Sequence, residues 1–350
     1  MKISLLETHD ATWGAVLERC PHDCYHTPGW MRAAEHGDRG TSCALHVSDD
    51  RDEMLVPLVR RGLPGGRWDA VSPYGYGGPV LSGHADAHFI DRALSLAVDA
   101  LRDAGCVSWF IRLHPLLNAD WRSNIGHLVE HGRTVSIDLT KTAAEHWRET
   151  VHGHRNDINK ARRAGVEVYI DDAFSRLGHF VELYNRSMQR LEAGSYYYFN
   201  EEYYQTLRRE MGPNLRLFVA EEAGEVIGAA LLTVAPSTGI LQGHLFGASE
   251  QHLHRQPLKV LIHAQREWGR EHGYRHLNLG GGRGRGNETE DSLFRFKRGF
   301  SPDAQVFRTL RVVVDPQCYA ALCDGMDGGA ASADLSGFFP AYRQTATSVK

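Results

Sequence analysis

"LNLGGGRGRGNETEDSLFRFKRGF" occupies Leu277 to Phe300 and sets five glycines, Gly280, Gly281, Gly282, Gly284 and Gly286, between an apolar segment and a basic, aromatic one. Glycine reaches positive φ and lets a ligand approach the main chain, so the stretch reads either as a sharp connector or as part of a site. A dinucleotide loop does not fit, because no G-x-G-x-x-G register is present and the stretch lies near the end of the chain.

Around this loop stand 350 residues, 42% of them apolar and 9% aromatic, which is ample for packed globular structure and more than one core usually organises. Two domains are the expectation. No run of eighteen apolar residues occurs and the N-terminus lacks a signal-peptide core, so a soluble cytoplasmic protein is expected. Six irregularly spaced cysteines fit reduced thiols better than a disulfide framework. In "CPHDCYH", Cys20, His22, Cys24 and His26 lack a second ligand pair at finger-like spacing, so no metal is expected. With a formal charge of −4, the chain can attract an anion only through local basic patches.

Periodicity organises the rest. The first half reads as a strand near Ile3–Leu6, helices over Trp13–Glu18 and Trp30–Glu35, strands "SCALHVS" and "EMLVPLVRR", an amphipathic helix stopped by Gly105, the strand "VSWFIRL", and a helix over Trp121–Glu130. The second half opens with "TVSIDL" and a helix from Thr142 to Gly165, announced by the capping-box pair Thr142 and Glu145. Then come "VEVYI", helices over Phe174–Leu191 and Glu201–Met211, a hairpin turning at Ala223 and Gly224, and the strand "GILQGHLFGA". A helix from Pro257 to His272, the strand "HLNLG", a short helix in "EDSLFRFKRG" and a final strand "FRTLRVVV" complete it. Both halves run strand, helices, hairpin strands, long helix, strand, helix, strand, which predicts one α/β unit repeated in pattern rather than in residues. The division expected is 1–133, 134–325 and a mobile tail over 326–350.

Four segments, "SPYGYGGPV" (Ser72–Val80), "HRNDINKARRAGVEV" (His154–Val168), the helix starting at Pro257, and "LNLGGG" leading to "DSLFRFKRGF", resemble the Fem-like branch of the GNAT acyltransferases. The resemblance implies an α/β chain of two tandem GNAT-like domains, each a mixed sheet flanked by helices. It also implies amide formation between an aminoacyl-tRNA donor and the amine of a cell-wall precursor, small peptide or natural product. The coiled-coil arm of some members is absent, since no heptad run of useful length occurs.

An acyl-CoA donor is the alternative within the same fold, and a non-catalytic binding protein the alternative outside it. Acetyl-CoA enzymes hold pyrophosphate on backbone amides opening the central helix. Here "GASEQHLHRQPL" lacks a second glycine, and Pro257 removes an amide donor. Arg155, Lys160, Arg162 and Arg163 on one helix, with Arg283, Arg285, Arg295, Lys297 and Arg298 around the glycine loop, offer phosphate contacts; a merely solvated basic face is the competing reading.

An aminoacyl ester is already activated, so positioning and oxyanion stabilisation suffice. The resemblance assigns the stabilising cation to Lys297. Phe296, Gly281, Gly282, Arg283, Arg285, Arg155 and Arg162 are the expected donor-side residues. Tyr74, Tyr76 and Tyr197 are the expected acceptor-side ones, each also readable as packing. Asp291 is readable either as a proton acceptor or as a helix cap.

Overall fold

The computed structural model describes residues 1–38, 40–283, 291–324 and 335–344. Contacts divide the chain into two units, Met1–His131 with Phe307–Lys350, and Gly132–Val306. In chain order the elements are β1 (Lys2–Glu7), α1 (Ala11–Arg19), α2 (Pro28–Asp38), β2 (Thr41–Ser48), β3 (Glu53–Gly62), β4 (Trp68–Val71), β5 (Val80–Leu81), α3 (Ala87–Asp103) and β6 (Cys106–Arg112). β7 (His127–Asp138), α4 (Ala143–Glu149), α5 (His152–Arg163), β8 (Glu167–Ile170), α6 (Leu177–Arg190), α7 (Glu201–Met211), β9 (Leu215–Glu222), β10 (Glu225–Ala235) and β11 (Ile240–Ala248) follow. The chain closes with α8 (Pro257–Glu271), β12 (His276–Gly281), α9 (Ser292–Arg298), β13 (Ala304–Val313) and α10 (Pro316–Asp324).

In the first unit the strands lie in the order β1, β2, β3, β4, β6, β13, with β5 also on β3. All its pairs are antiparallel except β4 with β6. A parallel pair needs a crossover, and α3 supplies it. Asp86 caps α3 by accepting from the Phe89 amide, and Phe89, Ala93, Leu94, Ala97 and Leu101 form its buried face. That face joins Leu45, Val56 and Trp109 in the core.

The second unit repeats the plan in the order β8, β9, β10, β11, β12, β7. Its one parallel pair is β11 with β12, bridged by α8. The hairpin between β9 and β10 turns at Ala223 and Gly224, whose φ values of 52° and 84° are those of a tight primed turn. Val135, Ile158, Leu232, Leu261, Leu277 and Phe300 belong to its core. The expected pattern repeat is therefore a repeat of topology: a meander of four strands, a parallel partner, and an antiparallel sixth strand.

The sixth strands break the expected domain division. β13 pairs with β6 over Thr309–Val313 and Ser108–Arg112, so the chain from Phe307 onward belongs to the first unit and not to the second. The expected mobile tail is also corrected in its described part. Phe339 and Ala341 are buried beside Tyr319, Arg343 donates from Nε to Asp69 at 2.6 Å, and the Arg311 guanidinium donates to the Leu335 and Gly337 carbonyls. The rest of the tail lies outside the described residues.

Two helix expectations also change. Residues 121–126 form a loop because the Asp91 carboxylate accepts from the Ser123 hydroxyl and from the Asn124 amide and side chain, and β7 begins at His127. The expected helix from Thr142 divides into α4 and α5. Thr142 and Glu145 do form the capping box, but the Thr150 hydroxyl folds back onto the His146 carbonyl and the Val151 amide donates to Gly299 at 2.9 Å, outside the helix.

Candidate active site

The second unit opens where its parallel strands part. β11 and β12 pair only over Ile240–Gln242 and His276–Asn278, although β11 runs on to Ala248 and β12 to Gly281. Each strand is also irregular there. The β10 register skips His244, and the β7 register skips Leu279. Such bulges turn a strand and re-aim its side chains, and past Gln242 and Asn278 the two strands no longer pair with each other.

The glycine loop begins at this point, and its described residues are fixed one after another. Asn278 Oδ1 accepts from the Gly280 amide at 3.0 Å, which suits the positive φ of 73° at Gly280. The Gly281 carbonyl accepts from Lys297 Nζ at 2.6 Å. Asp291 accepts from the Arg283 amide at 2.5 Å with one oxygen and caps α9 with the other, taking the Leu293 and Phe294 amides. A Cβ at Gly282 would sit 2.2 Å from that carboxylate, so the position admits only glycine without rearrangement. The cap reading of Asp291 is the one its geometry supports.

Lys297 is half-buried on α9. Burial lowers its pKa to about 8, against a raising influence from Asp291. An ammonium has three donors, and the Gly281 carbonyl takes one. A fixed, partly desolvated cation beside pinned main chain is the arrangement that stabilises a developing oxyanion.

α5 holds this helix from the other side. His154 Nε2 donates to the Phe296 carbonyl at 2.9 Å, and its ring packs 4.8 Å from Phe300 and 5.4 Å from Phe296. Gly299 makes room, since a Cβ there would lie 2.4 Å from His154 Nε2. "HRNDINKARR" and "FKRGF" thus interlock, and Phe296 is a partly buried core contact. Of the expected donor residues, Gly281, Gly282, Arg283 and Phe296 are brought together with the expected catalytic Lys297. Arg155 donates to the Trp147 carbonyl at 3.0 Å, and exposed Arg162 reaches His263 at 2.6 Å. Arg285 lies outside the described residues.

Tyr197 is exposed, and its carbonyl accepts from the Tyr184 hydroxyl at 2.8 Å. Its segment reaches the parted strands through Tyr203, whose hydroxyl bonds the bulge residue His244 at 2.9 Å. Burial pushes the His244 pKa down to about 3 and keeps that ring neutral. Asn200 caps α7, its side chain accepting from the Tyr203 amide.

Tyr74 and Tyr76 lie in the first unit on a turn that its neighbours fix closely. Trp30 Nε1 donates to the Tyr74 carbonyl, Asn118 Nδ2 to that of Pro79, and Arg112 to that of Ser72. The Tyr76 ring packs against Tyr25, His114 and Phe307. Beneath it, fully buried Asp23 accepts from His114 Nε2 at 2.8 Å. The other polar groups of "CPHDCYH" are engaged too: Cys20 Sγ faces Glu53, His22 bonds the Cys20 carbonyl, and His26 Nδ1 accepts from the Asp23 amide. No group of three metal-capable side chains gathers among the described residues.

His154, Asn278, Tyr203, His244 and His263 were not singled out from sequence. Their partners lie 142, 41 or 101 residues away in the cases of His154, Tyr203 and His263, and no local spacing signals them.

At the start of α8, Gln256 adopts the left-handed conformation with φ 56°, gives no side-chain cap, and is followed by Pro257 at the first helical position. No described helix is long and apolar enough to cross a membrane.

Residues 148–298 match the acetyltransferase (GNAT) domain family. The chain is similar in structure to FemX, with a TM-score of 0.68 and 12% identity, covering 92% of this chain and 99% of that one. It is also similar to L-PGS from Bacillus licheniformis (TM-score 0.54, 17% identity, 88% and 93% covered). A third likeness is to the C-terminal domain (DUF2156) of a protein described as a lysylphosphatidylglycerol synthetase from Agrobacterium fabrum (TM-score 0.55, 16% identity, 89% and 96% covered). No curated protein matches the chain in sequence. The fold is that of FemX and these two structures, and the GNAT domain match falls within the second unit.

Proposed function

We propose that this acyltransferase moves an aminoacyl group from aminoacyl-tRNA to an amine of a small peptide, natural product or cell-wall precursor. The observation that carries the reading is Lys297: a partly desolvated ammonium fixed at 2.6 Å on the Gly281 carbonyl, where β12 has parted from β11. The acceptor amine attacks the ester carbonyl, the C–N bond forms, and charge gathers on the carbonyl oxygen, where the remaining Lys297 donors stabilise it. Collapse breaks the ester C–O bond and releases the ribose hydroxyl, which takes up the proton lost by the amine. No covalent enzyme intermediate is required, because the ester is already activated.

Three further observations support a tRNA donor. The opening of α8 offers few amides to a pyrophosphate, since proline holds its first position. α5 carries exposed Lys160, Arg162 and Arg163. One structural relative is described as a domain of a lysylphosphatidylglycerol synthetase, a name that itself joins an amino acid to an acceptor. The acetyltransferase match over 148–298 favours a second reading, an acyl-CoA-dependent N-acyltransferase.

Incubation with a pool of charged tRNAs and candidate amines, with the same pool after RNase treatment, and with acyl-CoA separates the two. Product formed only with intact charged tRNA supports the first reading. Turnover with acyl-CoA alone ends it.

A further inference from the structure

α4, α5 and α8 meet around His263, a residue only 6% exposed. Its two ring nitrogens both face guanidinium groups: Nε2 lies 2.6 Å from Arg162 Nη2, and Nδ1 lies 2.8 Å from Arg266 Nη2. A guanidinium has no acceptor, and a neutral imidazole has one. Whichever tautomer His263 adopts, one of the two contacts sets N–H against N–H. Protonation would remove the remaining acceptor, and burial with two neighbouring arginines opposes it, lowering the pKa to about 3.

The partners of the two arginines differ. Arg266 is fully buried, donates to Thr150 Oγ1 at 2.8 Å and to the His146 carbonyl at 3.4 Å, and lies 3.5 Å from the Glu267 carboxylate. Arg162 is exposed, and its contact with His263 is the one that can open toward solvent. The locus therefore holds two cations and a neutral ring around one missing acceptor. An oxyanion accepting from Arg162 and from the His263 Nε2–H would supply that acceptor and a balancing charge. The Trp147 ring, 5.6 Å from His263, gives the locus an apolar flank in which such bonds are strengthened.

We propose that Arg162 and His263 form an anion site that takes one phosphate group of the donor, specifically a phosphodiester of the tRNA. The assignment to tRNA rests on the function proposed above; the anion site itself does not. Arg162 swings from the ring to the phosphate, and His263, in the tautomer that accepts from Arg266 at Nδ1, donates from Nε2.

The test uses the full chain with inorganic phosphate, deacylated tRNA and coenzyme A as separate probes. Imidazole nitrogen resonances of His263, identified by their loss in His263→Gln, should shift saturably with phosphate, and the shift should vanish in Arg162→Met. No phosphate-dependent shift overturns the site, and it does so without reference to turnover, so that failure is separable from an inactive charged tRNA. With deacylated tRNA, Arg162→Met should weaken binding roughly tenfold at low salt, as expected for one lost charge-assisted contact. It should also flatten the plot of log affinity against log salt by about one unit. Arg162→Lys, which keeps the charge but not the fork, should recover the salt slope. An unchanged slope with weakened coenzyme A binding overturns the assignment to tRNA.

Discussion

Lys297 Nζ donates a 2.6 Å hydrogen bond to the carbonyl of Gly281, sixteen residues earlier, and so ties the helix bearing the cation to the strand end that would face the acyl group. One contact fixes both the ammonium and the loop. Lys297→Ala should lower turnover by about two to three orders of magnitude, the cost of losing one oxyanion donor. Unchanged single-turnover rates would remove Lys297 from the chemistry.

The pH profile gives a second check on the same residue. Because burial depresses the Lys297 pKa to about 8, its cationic form is lost as pH rises through that value. kcat/KM should therefore fall on the alkaline side near pH 8. Lys297→Arg, which stays charged, should be slower but keep its residual rate at higher pH. A falling limb that persists in the arginine variant would assign that titration to another group.

Asp291 serves the loop and the helix together, so Asp291→Ala should release the Arg283 amide and uncap α9. Cap loss alone costs about 1 kcal/mol. A lower melting temperature with a disproportionate fall in kcat is expected, and thermal unfolding beside steady-state kinetics measures both. Asp291→Asn retains an acceptor and should recover most of the stability. Equal loss of stability in both variants would argue against the cap.

Gly299→Ala should separate α5 from α9, since the added carbon would lie 2.4 Å from His154 Nε2 and force apart the His154 to Phe296 bond. Overpacking of this kind costs about 1–3 kcal/mol. His154→Ala should restore room, so the double variant should be less destabilised than the sum of the two single ones. Strict additivity in urea unfolding would contradict the interlock.

Acid should loosen the first unit through His26, which is fully buried and whose pKa burial lowers to about 3. The unfolded ring takes up a proton near its ordinary value while the folded ring refuses it, so stability falls as pH drops from about 6.5 toward 3, by up to roughly 1.4 kcal/mol per pH unit. Urea midpoints measured across that range should fall less steeply in His26→Gln. Parallel curves would rule out this histidine as the source.

Most elements were legible because their signals are local. The Thr142 box and the Ala223–Gly224 turn each depend on residues within a few positions, and both form as expected. The break at Thr150 was not, because the Gly299 carbonyl that takes the Val151 amide is 148 residues away in sequence. The loop at 121–126 has the same kind of cause, since its ordering carboxylate belongs to Asp91 on α3. At the candidate site, the glycines stood out by composition and Lys297 through the family resemblance, whereas the hydrogen bonds that give them a shape join strand, loop and helix and have no signature in spacing.

The late return of β13 to the first unit also inverts the order in which the halves can mature on a ribosome. A nascent chain emerging N-terminus first displays β6 with its outer edge unsatisfied until residues 309–313 have been made, after every strand of the second unit has been synthesised. The half translated first is thus the half completed last, and its waiting edge is the segment a chaperone would have most reason to shield.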